Sequence, residues 1–215
     1  SWLEFNRRCL TEAEDKTNPL LSRVKFLAIA YGNMDEFFMI RVPGMLGGSV
    51  DSALNLGPDS FEDQDEFITA VTNKVSRLVE AYDVCWSSLN KELWEKNIRI
   101  RTLDSLNENQ RAWINEYFRE RVYALLTPLA LDVSHPFPFI SNNSLNLAVK
   151  MKRGDSEFLY ARIKVPTTIL PRFVKISSDT EGAEGVDLIC LEDIVKANIS
   201  MLFPGLEVLG VYNFR

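Results

Sequence analysis

The sequence predicts an α+β protein: an N-terminal three-helix antiparallel bundle followed by an α+β domain with a mainly antiparallel sheet. Three observations carry this. First, Phe67, Val71, Val75, Leu78, Tyr82, Cys85, Leu89 and Leu93 are spaced 4-4-3-4-3-4-4, one continuous helical stripe over about seven turns. Second, the period then falls to 2: Leu145, Leu147, Val149 and Met151 alternate with Asn146, Ala148, Lys150 and Lys152, the pattern of a strand with one buried face. Third, 215 residues with 46% hydrophobic and 25% charged side chains suit one large or two small globular domains and exclude disordered, collagen-like or coiled-coil classes. The change of period places the division near residue 100, giving domains 1–100 and 101–215.

The elements follow in order. Residues 1–15 set Trp2, Phe5, Cys9, Leu10 and Ala13 at helical spacing. Asn18-Pro19 reads as N-cap and first helical position of a second helix, which runs to Pro43-Gly44. Gly47-Gly48 and Gly57-Pro58 mark a loop before the long third helix. Ser105 and Glu108 have the spacing of a capping box for a fourth helix, with Trp113, Ile114, Tyr117 and Phe118 as its apolar face. The prolines of SHPFPF, residues 134–139, exclude helix there. Residues 145–151 and 158–165 form a hairpin about Arg153-Gly154-Asp155-Ser156. A short strand at 187–190, a helix at 192–202 and a strand at 207–214 complete the domain. The chain opens inside a helix pattern and closes inside a strand pattern, and is expected to be a fragment of a longer protein.

Charge narrows the partners. The net charge of −6 runs against a nucleic-acid partner. Residues 150–175 are the exception, with seven basic and two acidic side chains, 7 − 2 = +5; this stretch admits either an anion-facing surface or a lysine-rich solvated sheet face. Three scattered cysteines, Cys9, Cys85 and Cys190, make no CxxC pair and no disulfide framework, which fits buried packing in a reducing cytoplasm. The longest apolar run, residues 26–31, is six residues, far below the roughly 18 of a spanning helix.

Signatures of catalysis are sparse. P-loop, dinucleotide and nucleophile-elbow motifs are absent, and one histidine with scattered cysteines builds no standard zinc site. His135, near Asp132 in the proline-rich turn, is expected to pack rather than react. The densest polar cluster is Gly32-Asn33-Met34-Asp35-Glu36 inside a strongly apolar helix. It reads either as a solvated face with a kink at Gly32, or as a ligand contact. An Asn amide both donates and accepts, which suits a purine edge or phosphate. Phe26 lies two turns back on the same face and offers a ring for stacking.

The stretch SWLEFNRRCLTEAEDKTNPLLSRVKFLAIAYGNMDEFFMIRV closely resembles the amino-terminal domain of bacterial polyphosphate kinases. The resemblance continues in LLTPLALDVSHPFPFISNNSLNLAV, IKVPTTILPRFVKI and LFPGLEVLGVYNFR, and spans nearly the whole chain. It implies an enzyme that reversibly transfers the γ-phosphate of ATP to inorganic polyphosphate through a phosphohistidine, using Mg²⁺. The nucleophilic histidine and the metal-linked residues belong to phospholipase-D-like domains beyond this chain. The 215 residues are therefore expected to be inactive alone, with no catalytic residue and no metal ligand, and to supply part of the nucleotide wall and homo-oligomer contacts through the head domain. The family's nucleotide-contacting Asn, in SNLDEFF, falls on Asn33 in GNMDEFF, with Gly32 and Met34 departing from the commoner Ser and Leu; its adenine-packing Phe falls on Phe26. The implied location is cytoplasmic, with peripheral contact at the inner membrane face. Two other readings stand beside this: an interaction or dimerisation module with no nucleotide role, and a self-sufficient enzyme using paired carboxylates, which no carboxylate pair here supports.

Overall fold

The computed structural model describes residues 2–43, 64–131, 138–154, 157–176 and 185–215. They fall into two compact units, Ser1–Glu95 and Lys96–Arg215. His135, Asp132, the Gly47-Gly48 and Gly57-Pro58 loop signals, and Asp155 and Ser156 of the expected hairpin turn lie outside the described residues.

The first unit holds α1 (Trp2–Glu14), α2 (Leu20–Glu36) and α3 (Gln64–Glu95). The helices run antiparallel. The Trp2 indole donates to the Asn33 carbonyl at one end, and Arg23 Nε donates to the Ala13 carbonyl at the other. On α3, Glu92 meets Arg23 while Asp83 meets Tyr31. The long stripe on α3 is buried as its spacing requires, at Val75, Leu78, Tyr82, Cys85, Leu89 and Leu93. On α1 the buried stripe is Leu3, Asn6, Leu10 and Ala13, one step around from the Trp2–Phe5–Cys9 face that the apolar residues suggest. Phe5 is 42% exposed. The polar Asn6 hides the true stripe, because intervals of 3-4-3 continue through it to Ala13.

At the start of α2 the N-cap is Pro19, with no side-chain cap. The Asn18 amide instead donates to the carbonyl and carboxylate of Glu12, so it closes the end of α1 rather than opening α2. The departure from regular α geometry falls not at Gly32 but in a π-turn over Phe37–Arg41, where Val42 N–H donates to the Phe37 carbonyl.

The second unit contains β1 (Ile98–Arg101), α4 (Glu108–Tyr117), β2 (Leu129–Leu131), β3 (Asn146–Arg153), β4 (Glu157–Lys164), β5 (Phe173–Lys175), β6 (Val186–Cys190), α5 (Leu191–Ala197) and β7 (Glu207–Phe214). The described strands form two sheets. One is wholly antiparallel, ordered β2-β4-β3-β7; the other, β1-β6-β5, pairs β1 parallel with β6. The hairpin register sets Asn146 opposite Lys164 and Arg153 opposite Glu157. Leu147, Val149, Met151, Ala161 and Ile163 then face a core shared with Ile114, Phe118 and Val122 from α4 and the π-turn after it, and with Ile189, Leu191, Ile194 and Val195. Two details differ from the sequence reading. Asn107 caps α4 and forms the capping box with Gln110, while Ser105 serves a separate box with Thr102 around a short 3₁₀ turn. Helix 192–202 is α only to Ala197 and continues as 3₁₀ over Ile199–Leu202.

Candidate functional site

The α2 face carries both residues expected to meet a ligand. Phe26 is half-buried and packs against the bundle core. Asn33 is also half-buried, and its side-chain Nδ2 is wholly enclosed with no hydrogen-bond partner. An unmet donor of this kind costs about 1–3 kcal/mol, which makes it a place where a ligand acceptor or water gains most. Phe26 and Asn33 are seven residues apart, so they lie within about 20° of one line along the helix and roughly 10 Å apart. Gly32 is exposed, with open space where a Cβ would stand. Packing therefore does not demand glycine there.

Two further residues converge on this place that the sequence reading passed over. The Trp2 indole N–H donates to the Asn33 carbonyl at 3.3 Å, tying the start of α1 to α2. The Arg41 guanidinium lies 4.4 Å from the centre of the Trp2 ring, and Arg41 Nε is buried without a partner. Tyr31 donates to Asp83 at 2.7 Å, which directs that side of α2 toward α3 instead.

Five of the basic side chains in the stretch 150–175 have separate partners. Arg162 is buried and donates to Asn146 Oδ1 at 2.9 Å. Arg172 pairs with Glu192 at 2.7 Å and Arg153 with Glu157 at 3.4 Å. Lys164 donates to Ser141, and Lys150 lies 5.0 Å from the Phe158 ring centre. A hollow of about 360 Å³ in the second unit is lined by Trp113, Glu116, Tyr117, Glu120, Arg121 and Leu170. Its two carboxylates against one guanidinium make it a poor seat for a phosphate. Among the described residues, no group of three or more His, Cys, Asp or Glu could hold a metal. No described helix is long and apolar enough to cross a membrane. The three cysteines are free thiols; burial, with Glu192 and Asp193 nearby, pushes Cys190 up to about 11.

The described residues thus make a three-helix unit followed by an α+β unit with a mainly antiparallel sheet. Similarity to known proteins supplies the family. Residues 1–101 match the polyphosphate kinase N-terminal domain, and residues 109–215 match the polyphosphate kinase middle domain. The polyphosphate kinase of Parasynechococcus marenigrum (strain WH8102) is 36% identical over 219 residues, and that of Mycobacterium avium (strain 104) is 40% identical over 226 residues. Each match takes in 100% of this chain but only 31% and 30% of the relatives, respectively. The crystal structure of polyphosphate kinase from Porphyromonas gingivalis superposes with a TM-score of 0.86 at 32% identity, covering 99% of this chain and 31% of that one. The chain belongs to the polyphosphate kinase family and corresponds to its N-terminal and middle domains.

Proposed function

We propose that this chain is the nucleotide-wall and head portion of an enzyme that reversibly transfers the ATP γ-phosphate to inorganic polyphosphate. Residues 1–100 would supply the wall, through Asn33 and Phe26. Residues 101–215 would supply contacts between copies of the enzyme. The enclosed, unpartnered Asn33 Nδ2 is the observation that carries the nucleotide role. An unmet amide on the same face as a half-buried aromatic ring two turns away suits a purine nucleotide better than it suits packing. The nucleophile and the groups that hold Mg²⁺ would come from the rest of the enzyme, since phosphoryl transfer needs cations and a positioned nucleophile that the described residues do not assemble. The free cysteines support a cytoplasmic setting.

The test is steady-state kinetics on the full-length enzyme. Asn33→Ala is expected to raise the KM for ATP about five- to thirtyfold, the size of one or two polar contacts of roughly 1–2 kcal/mol, with an unchanged melting temperature. The 215-residue chain alone is expected to show no ATP-dependent chain growth and only weak ATP binding, because one wall cannot offset the lost freedom of the ligand. An unchanged KM in a stably folded Asn33→Ala enzyme would favour the alternative, an interaction module without a nucleotide role.

A further inference from the structure

The π-turn at the end of α2 redirects Arg41. Eight residues separate Asn33 from Arg41, and in an unbroken α-helix they would point about 80° apart. A turn closed by an i→i+5 bond takes in one extra residue, which swings the helix beyond it back by about 100°. Arg41 thereby comes within roughly 20° of the Asn33 line. The contacts agree: the Arg41 guanidinium lies 4.4 Å from the Trp2 ring centre, and the same indole donates to the Asn33 carbonyl at 3.3 Å. Phe26, Asn33 and Arg41 thus form one file of ring, amide and guanidinium.

Two atoms at the end of this file are buried without a hydrogen-bond partner: Asn33 Nδ2 and Arg41 Nε. Both are donors, and one belongs to a permanent cation. A pair of enclosed donors with a positive charge is matched by an anionic, oxygen-rich acceptor. We propose that Arg41, braced on the face of Trp2, contacts the phosphate chain of the nucleotide whose base end lies toward Phe26. Trp2 is a positioning residue: stacking fixes the guanidinium plane and leaves its N–H edge for phosphoryl oxygens. The proposal rests on the nucleotide reading of this α2 face. Phosphoryl oxygens are shared by ATP and by polyphosphate, so the two sources must be separated by experiment.

The experiment compares full-length wild type with Arg41→Gln, Arg41→Lys and Asn33→Ala, measuring KM for ATP and for polyphosphate over a range of ionic strength, with thermal melts alongside. Arg41→Gln is expected to raise the KM for ATP about tenfold or more, the scale of a charge-assisted hydrogen bond, to flatten its salt dependence, and to leave the KM for polyphosphate unchanged. Arg41→Lys should keep the salt dependence while recovering only part of the affinity. A raised KM with undiminished salt dependence reduces Arg41 to a brace between α1 and α2 and overturns the proposal. A raised KM for polyphosphate alone assigns the cation to the other substrate and also overturns it. An effect of Asn33→Ala without one of Arg41→Gln sinks the Arg41 contact but keeps the nucleotide wall; no effect of either removes both. Should Arg41→Gln unfold, Arg41→Lys decides: a folded lysine enzyme that has lost the salt dependence is the overturning result.

Discussion

Two buried polar side chains in the bundle behave oppositely. Arg23 is 4% exposed, yet its Nε donates to the Ala13 carbonyl at 2.9 Å and its Nη1 to Glu92 at 2.7 Å. It therefore joins three helices with its charge met, and removing Glu92 would leave an uncompensated cation. Asn6 is 0% exposed, and neither its Oδ1 nor its Nδ2 finds a partner. An amide in that position costs more than an apolar group of similar size. Asn6→Leu is therefore expected to raise the stability of the bundle by about 1–2 kcal/mol, read as a higher midpoint in urea unfolding. A lowered midpoint would mean that the amide holds an enclosed water whose bonds the leucine breaks.

At the scale of elements, the junction of β6 with the turn before β1 turns on one glycine. Gly185 has φ +115°, and a Cβ there would run into the carbonyl oxygen and Cβ of Asn97, itself at φ 58°. The Val186 N–H donates to that same carbonyl at 2.8 Å, so the clash cannot be relieved without breaking the first bond of the parallel pair. Gly185→Ala is expected to cost about 2–3 kcal/mol. Hydrogen exchange should rise in the peptide covering 186–190; unaltered protection there would show that the turn can shift as a body. The parallel pairing itself was not legible from sequence, because β1 is only four residues long, too short for its Ile-Arg alternation to stand out, and its partner strand lies far along the chain. Its Arg99 and Arg101 side chains are instead held by Asp187 at 2.7 and 3.1 Å, a partner 88 and 86 residues away. The hairpin was legible because its period of 2 is set by local burial alone. Phe26 and Asn33 could be named as candidates because the resemblance places family positions on them. Arg41 could not be added from sequence, since regular α spacing directs it away from Asn33 and only the π-turn brings it back.

Each unit carries an acid, wholly buried at Tyr82 and half-buried at Cys190, whose proton folding retains. In the first, burial pushes the Tyr82 phenol from its ordinary 10.0 up to about 12; it is 0% exposed and donates to the Ala30 carbonyl at 3.4 Å. In the second, burial first, then the carboxylates of Glu192 and Asp193, push the Cys190 thiol from 9.0 up to about 11. In each case the folded form holds its proton more tightly than the unfolded chain. Below about pH 8 both groups are protonated in both states, and neither makes stability depend on pH. Between the unfolded and folded values, the unfolded chain ionises first and gains free energy that the folded chain does not. Stability is therefore lost as pH rises through about 9–11 for Cys190 in the second unit and about 10–12 for Tyr82 in the first, where the buried Cys85 thiol, also raised above 9.0, adds to the loss. Each loss is on the order of 2–3 kcal/mol. Melting temperatures of the wild-type chain are expected to stay level from pH 7 to about 8 and fall increasingly above it. Tyr82→Phe, which keeps the ring and loses only a long hydrogen bond, should remove part of the fall above pH 10 in the bundle transition while leaving the Cys190 contribution in place. A Tyr82→Phe protein with the full wild-type slope above pH 10 would show that the phenol ionises as freely in the folded bundle as in the open chain.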